Sequence, residues 1–97
     1  MATLDESERY RILSDERRRL VLEILAERTT GIGLDDLAQA VTTRQTTGTD
    51  VGPGTVDRVR IALHHKHLPM LDESGVLSYE SEVRQVEQPR VASERHA

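Results

Sequence analysis

The residues best suited to chemistry lie in one stretch, Asp57 to His67, which reads DRVRIALHHKH. His64, His65 and His67 stand there close behind Arg58 and Arg60. One chemistry that would use them is metal binding: His64 and His67 fall one helical turn apart, and imidazole is a common zinc ligand. However, His65 points roughly the other way, the chain has no cysteine, and a third ligand must come from Asp57 or a distant carboxylate. The simpler reading has His67 packed or hydrogen-bonded near a helix end, with His64 and His65 exposed, so no metal and no other cofactor is expected. The other chemistry is contact with a polyanion. Arg58 and Arg60 can reach phosphates or guanine edges, and His64, His65 and Lys66 add donors along the same element. Thr43 and Arg44, with Gln39 and Thr42, can touch a nucleic-acid backbone from a preceding helix. The bland alternative is that all of these are the solvated side of amphipathic helices, the ordinary fate of Arg and His.

Enzyme chemistry finds little support. The carboxylates form no motif, Ser and Thr lack a patterned His/Asp arrangement, and Gly31, Gly33, Gly48, Gly52 and Gly54 do not make a phosphate loop. The chain is not expected to be an enzyme, and no small-molecule ligand is evident.

The elements that must position the Arg/His stretch follow from periodicity. Residues 4–13 read as a first helix, with Leu4, Tyr10 and Leu13 on one face and acids in the first turn, where the helix dipole favours them. Ser14 suits the N-cap of a second helix, with Asp15 and Glu16 in its first turn. Leu20, Val21, Ile24 and Leu25 form its apolar stripe, and Arg17, Arg18 and Arg19 a basic cluster at its start. Gly31 and Gly33 flank Ile32, a candidate short strand beside a later ribbon. Asp35–Gln45 reads as a short amphipathic helix with Leu34, Leu37, Ala38 and Val41 inward, the usual first member of a helix-turn-helix pair.

Thr46–Gly54 holds three Gly and one Pro in nine residues and is a loop by composition, long against the three or four residues of a tight helix-turn-helix turn. Thr55 can cap the next helix, Val56 to His67, whose Val56, Val59, Ala62 and Leu63 share one side. Pro69 breaks or restarts that helix, because the residue before a proline is pushed out of helical backbone. Gly75 is placed as a left-handed C-terminal stop. Val76–Glu80 and Val83–Glu87 then alternate as two strands joined by Ser81-Glu82, without a tight-turn signal. The fold class expected is mainly α with a small β-ribbon (α+β), a winged helix-turn-helix over residues 4–87, followed by a disordered polar tail over 88–97.

Composition bounds the rest. A chain of 97 residues without Phe or Trp is one domain with an aliphatic core. Its size points to marginal stability, which a homodimer would relieve. No apolar run approaches ~20 residues, and the N-terminus lacks the features of a signal peptide, so a cytoplasmic protein without a membrane span is expected. Seventeen acidic residues face thirteen basic ones, of which Lys66 is the only lysine. Acid excess with Arg in place of Lys suggests a halophilic proteome, since carboxylates stay hydrated in concentrated salt while Lys stems present apolar surface. GC-rich codons would give the same Arg bias. For a DNA binder strong salt is demanding: affinity falls with a slope of about -0.9 per phosphate contact.

The segment Leu63–Tyr79, LHHKHLPMLDESGVLSY, resembles a family of short haloarchaeal winged-helix domains of unknown function. The matching positions are Leu63, His65, His67, Leu68, Pro69, Leu71, Gly75, Val76, Leu77 and Tyr79. The opening Tyr10–Arg19 also looks like that family, and the similarity covers about residues 4–87. More loosely, the layout is similar to regulators of the ArsR type, without the cysteine ligands of their metal-sensing members. The resemblance implies a DNA-binding transcriptional regulator. Duplex DNA would be read through Val56–His67, using Arg58, Arg60, His64, His65, Lys66, Arg44 and Thr43. The alternative is a protein–protein interaction module that kept the scaffold but binds no DNA. Net charge -4 and the acidic wing residues Glu80 and Glu82 favour that second reading.

Overall fold

A computed structural model describes residues 5–45 and 54–89. The element order is α1 (Glu6–Leu13), α2 (Glu16–Ala26), β1 (Ile32–Gly33), α3 (Leu34–Gln45), α4 (Thr55–Ala62), a π-helical turn (Leu63–His67), α5 (Leu68–Glu73), β2 (Ser78–Glu80) and β3 (Gln85–Glu87). The strands form one antiparallel sheet in the order β1-β3-β2. A helix, a short strand, two further helical segments and a hairpin that recruits the strand give a winged-helix-like arrangement, preceded by α1.

Each element has a local cause. Asp5 caps α1 by accepting the Glu8 N–H at 2.8 Å. Asp15, not Ser14, caps α2, accepting the Arg17 N–H at 2.9 Å; Ser14 instead closes α1. A carboxylate beside free N–H groups is favoured over a hydroxyl by charge as well as by hydrogen bonding. Gly54 occupies the N-cap of α4 without a side-chain bond, so Thr55 is the first helical residue rather than the cap. The expected loop falls almost wholly at 46–53, outside the described residues, as do Leu4 and residues 90–97.

Pro69 neither breaks nor restarts the helix. His67 and Leu68 keep right-handed helical backbone, and α4 runs through the π turn into α5. The Leu68 N–H reaches back five residues to the Leu63 carbonyl. That wider turn accommodates a residue that has no N–H and whose ring would crowd a carbonyl four residues back. The composite helix ends where predicted: Gly75 takes φ +82, its N–H bonds the Asp72 carbonyl at 3.0 Å and the Val76 N–H bonds the Leu71 carbonyl at 3.3 Å. This double closure leaves glycine at the left-handed position.

The core is aliphatic. Val21, Ile24 and Leu25 of α2, Leu34, Leu37, Ala38 and Val41 of α3, and Val59, Leu63, Leu68 and Leu71 of the long helix are all buried. Ile32, Tyr79 and Val86 of the sheet, with Leu77 just before β2, cap it. Ile32 pairs with Val86, so the short strand joins the ribbon as its spacing suggested. Backbone crowding at this edge is severe enough that a Cβ on Gly31 would collide with the Val86 carbonyl oxygen. The wing is shorter than predicted. Its strands have three residues each, and Ser81–Arg84 connect them. Val83 therefore leaves the strand for the tip, 70% exposed, and Arg84 takes φ 52. Gln88, assigned from sequence to the tail, donates its amide to the carbonyls of Leu25, Arg28 and Thr30.

Candidate nucleic-acid interface

The long helix presents two sides. Val59, Leu63 and His67 face the body, whereas Asp57, Arg58, Ile61, His65, Lys66 and Pro69 are exposed. Arg58, Ile61 and His65 follow i, i+3, i+7, one stripe of a helix. Among the described residues Arg58 and Lys66 have no ion pair. They are the cations available to a ligand on this face.

The other predicted contacts are engaged within the molecule. Arg60 Nη2 lies 3.0 Å from Asp57 Oδ1 and its Nε 3.6 Å from Asp35 Oδ1. It therefore ties the start of α3 to α4 instead of standing beside Arg58. Arg44 grips both carboxylate oxygens of Glu27 and lies 3.7 Å from Glu23, which turns it toward α2. Its hydrogen bonds hold the Glu27 carboxyl below the usual range. Thr43 is exposed on α3.

His64 sits 2.6 Å from the Tyr79 hydroxyl through Nδ1, joining the helix to the wing. Burial, followed by the positive charges of His65, Arg84 and Arg60, lowers its pKa. Burial raises that of Tyr79. Both shifts favour a neutral pair, and only the far edge of the His64 ring is left for an outside partner.

His67 is 3% exposed and accepts the Arg18 Nε–H on Nδ1 at 3.1 Å. An arginine donor requires a lone pair on that nitrogen, so the ring is neutral and carries its proton on Nε2. Burial lowers its pKa first of all; Asp15 opposes this, while Arg18, Lys66 and Arg17 reinforce it. His64 and His67 consequently do not share a chelating edge. No cluster of three metal-ligating side chains occurs among the described residues.

The basic cluster of α2 proves to be framework. Arg17 Nε bonds Gln45 Oε1 at 3.3 Å, joining α2 to α3. Arg18 bonds the Arg11 carbonyl at 2.8 Å as well as His67. Arg19 bonds the Leu13 carbonyl at 2.7 Å. Ile61, 51% exposed, lies off the core stripe that helical periodicity picks out. A helical wheel that asks which apolar residue lies off that stripe finds it between Arg58 and His65.

With this geometry in hand, a family model described as "Domain of unknown function (DUF7344)" matches residues 10–87. The chain belongs to that family. No curated protein and no solved structure matches it. The family's match begins at Tyr10 and ends at the last residue of β3, so it encloses the framework arginines, the long helix and the wing. The His-Leu-Pro segment acquires a physical meaning in this member: His67 anchors Arg18, Leu68 fills the core, and Pro69 sits where the π turn makes room for it. No helix among the described residues is long and apolar enough to cross a membrane.

Proposed function

We propose that this domain is a DNA-binding regulator that lays the outer face of α4 and the π turn in the major groove. The observation that carries this reading is the Arg58–Ile61–His65 stripe, with Lys66 alongside, raised on the long helix of a winged-helix-like body. Arg58 matches guanine O6 and N7 or a phosphate, and Ile61 suits a thymine methyl. Lys66 is a phosphate contact, and His65 a donor to either. Arg60, His64 and Arg44 take supporting parts, because their polar atoms already hold carboxylates or the wing. Glu80 and Glu82 leave the wing a minor contributor, since carboxylates repel phosphate. The acid-rich, lysine-poor composition fits a protein working in strong salt, where base edges and shape must outweigh counterion release.

A second reading, a protein-interaction module, is favoured by the ion pairs of Arg44 and Arg60, which remove two cations from the surface. The readings separate on retention of genomic DNA fragments across a KCl series, with sequencing of what is retained. The regulator reading expects enriched sequences, and for Arg58→Ala with Lys66→Ala a salt slope lowered by about 0.9 per lost phosphate contact. Retention of no fragment from low to multimolar KCl would remove it.

A further inference from the structure

We infer that His64 contacts a backbone phosphate of bound DNA as an imidazolium, taking up its proton as the duplex docks. This rests on the groove-docking reading proposed above and adds a linkage to pH at the same site. The first support is what His64 and His67 bond to. Both use Nδ1, but their partners differ in kind. The Arg18 guanidinium on His67 only donates, so a proton cannot enter that nitrogen without breaking the bond. The Tyr79 hydroxyl on His64, at 2.6 Å, donates to a neutral ring and accepts from a protonated one. Protonation of His64 therefore reverses that hydrogen bond and keeps the brace between helix and wing. The same bond fixes the ring with its other edge outward. Among the described residues no buried side-chain nitrogen or oxygen lacks a partner. Nε2 of His64 has no partner there, so it opens to solvent.

The second support is the company His64 keeps. The charges acting on its ring are those of His65, Arg84 and Arg60, all cationic groups. His65 and Arg60 stand with Lys66 on its own helix, Arg84 comes from the wing tip and Tyr79 from β2. The carboxylates are otherwise engaged or turned to water: Asp57 and Asp35 pair with Arg60, Asp72 accepts the Tyr79 N–H at 3.1 Å, and Glu80 and Glu82 are exposed. Burial first, then the cations, holds the free ring neutral. A helix about 10–12 Å across nearly fills a major groove about 12 Å wide, so its flanks meet the phosphates of the groove walls. His64 lies on the flank that faces the wing. A phosphate there offsets the surrounding positive charge and accepts the Nε2–H, and both effects raise the His64 pKa. Between the free and the bound pKa the complex holds one proton more than its separate parts. Affinity therefore rises as pH falls across that window and levels off below the free pKa. Above the bound pKa the His64 contribution is lost.

The test is titration calorimetry of the full-length protein with a random-sequence duplex, since phosphate contacts do not depend on sequence. Salt is fixed at the lowest level that preserves the helical circular dichroism, and buffers of unlike ionisation heat report the protons taken up. Uptake approaching one proton is expected between the free pKa, which lies below about 6.5, and the higher bound one. Across that window the dissociation constant should fall up to about tenfold per pH unit. His64→Gln, whose amide still offers Tyr79 a partner, should bind with little proton uptake and little dependence on pH. His65→Gln, which changes a ring 4.7 Å away, should keep most of the uptake. Binding without proton uptake, parental uptake in His64→Gln, or its loss in His65→Gln would each overturn the inference. DNA binding that depends on Arg58 and Lys66 would survive those results. Absence of binding at every pH would instead remove the regulator reading, and this inference with it.

Discussion

Arg17, Arg18 and Arg19 on α2 and Arg58 on α4 look alike along the chain, but the fold treats them in opposite ways. The α2 arginines reach Gln45, His67 and the carbonyls of Arg11 and Leu13, so they brace three neighbouring elements. Arg58 has no ion pair among the described residues and faces solvent. A run of positive charge is therefore not a ligand footprint until the acceptors that the fold places beside it are counted. Arg60, two residues from Arg58, falls on the braced side of that division because Asp57 and Asp35 lie within reach.

Three experiments would break or sharpen this contrast. The largest effect is expected from Arg18→Ala, which leaves the buried His67 Nδ1 without its donor and the Arg11 carbonyl with the Ser14 hydroxyl in place of the guanidinium. The loss of folding stability should be about 1–3 kcal/mol in a urea titration. Arg58→Ala should stay within about 0.5 kcal/mol of the parent. Equal sensitivity of the two variants would erase the distinction between braced and free arginines.

A middle-sized effect should appear with pH. His67 is held neutral, so its folded pKa lies below the unfolded value of about 6.5. Between those two values the unfolded chain binds more protons, and stability rises with pH. The His67 contribution is therefore complete above pH ~6.5 and is lost as pH falls through the folded pKa. At the neighbouring Asp15, burial pushes the carboxyl up, but His67, the Arg17 N–H and Arg18 outweigh it and leave the pKa lowered. Its stabilising effect disappears at lower pH still, in the same direction. Thermal melts of the parent should therefore drop on acidification from pH 7, and His67→Gln should flatten the upper part of that drop. An unchanged profile in His67→Gln would move the acid sensitivity elsewhere.

The smallest effect belongs to Arg44→Ala. Its carboxylate partners are exposed and screened by solvent, so the urea midpoint should not move measurably, while the Glu27 carboxyl returns toward its ordinary titration range by NMR. A clear loss of stability would place Arg44 with the framework arginines of α2.

Much of the fold could be read before the structure. The α3 stripe Leu34, Leu37, Ala38 and Val41 is buried as its spacing required, Ile32 joins the ribbon, and Gly75 ends the long helix. These features are local: a helical period, an isolated apolar residue between glycines, and a backbone angle that favours glycine. Local rules fail where a neighbour in space overrides them. Pro69 stays inside a helix because the Leu63 carbonyl and the surrounding core tolerate a wider turn. Val83 lies outside the strand, in the turn where Arg84 takes φ 52, and β3 pairs with both neighbours only over Gln85–Glu87.

For the candidate interface, the sequence by itself determined the cations, the histidines and the helix that carries them, because side-chain chemistry and helical period are properties of adjacent residues. Only tertiary structure decided which of them remain available. Asp35, Glu27, Tyr79 and Arg18 are distant along the chain from Arg60, Arg44, His64 and His67, and packing alone brings each acceptor or donor within hydrogen-bonding distance. The same packing buried Ile12 and left Tyr10 and Leu13 exposed on the first helix.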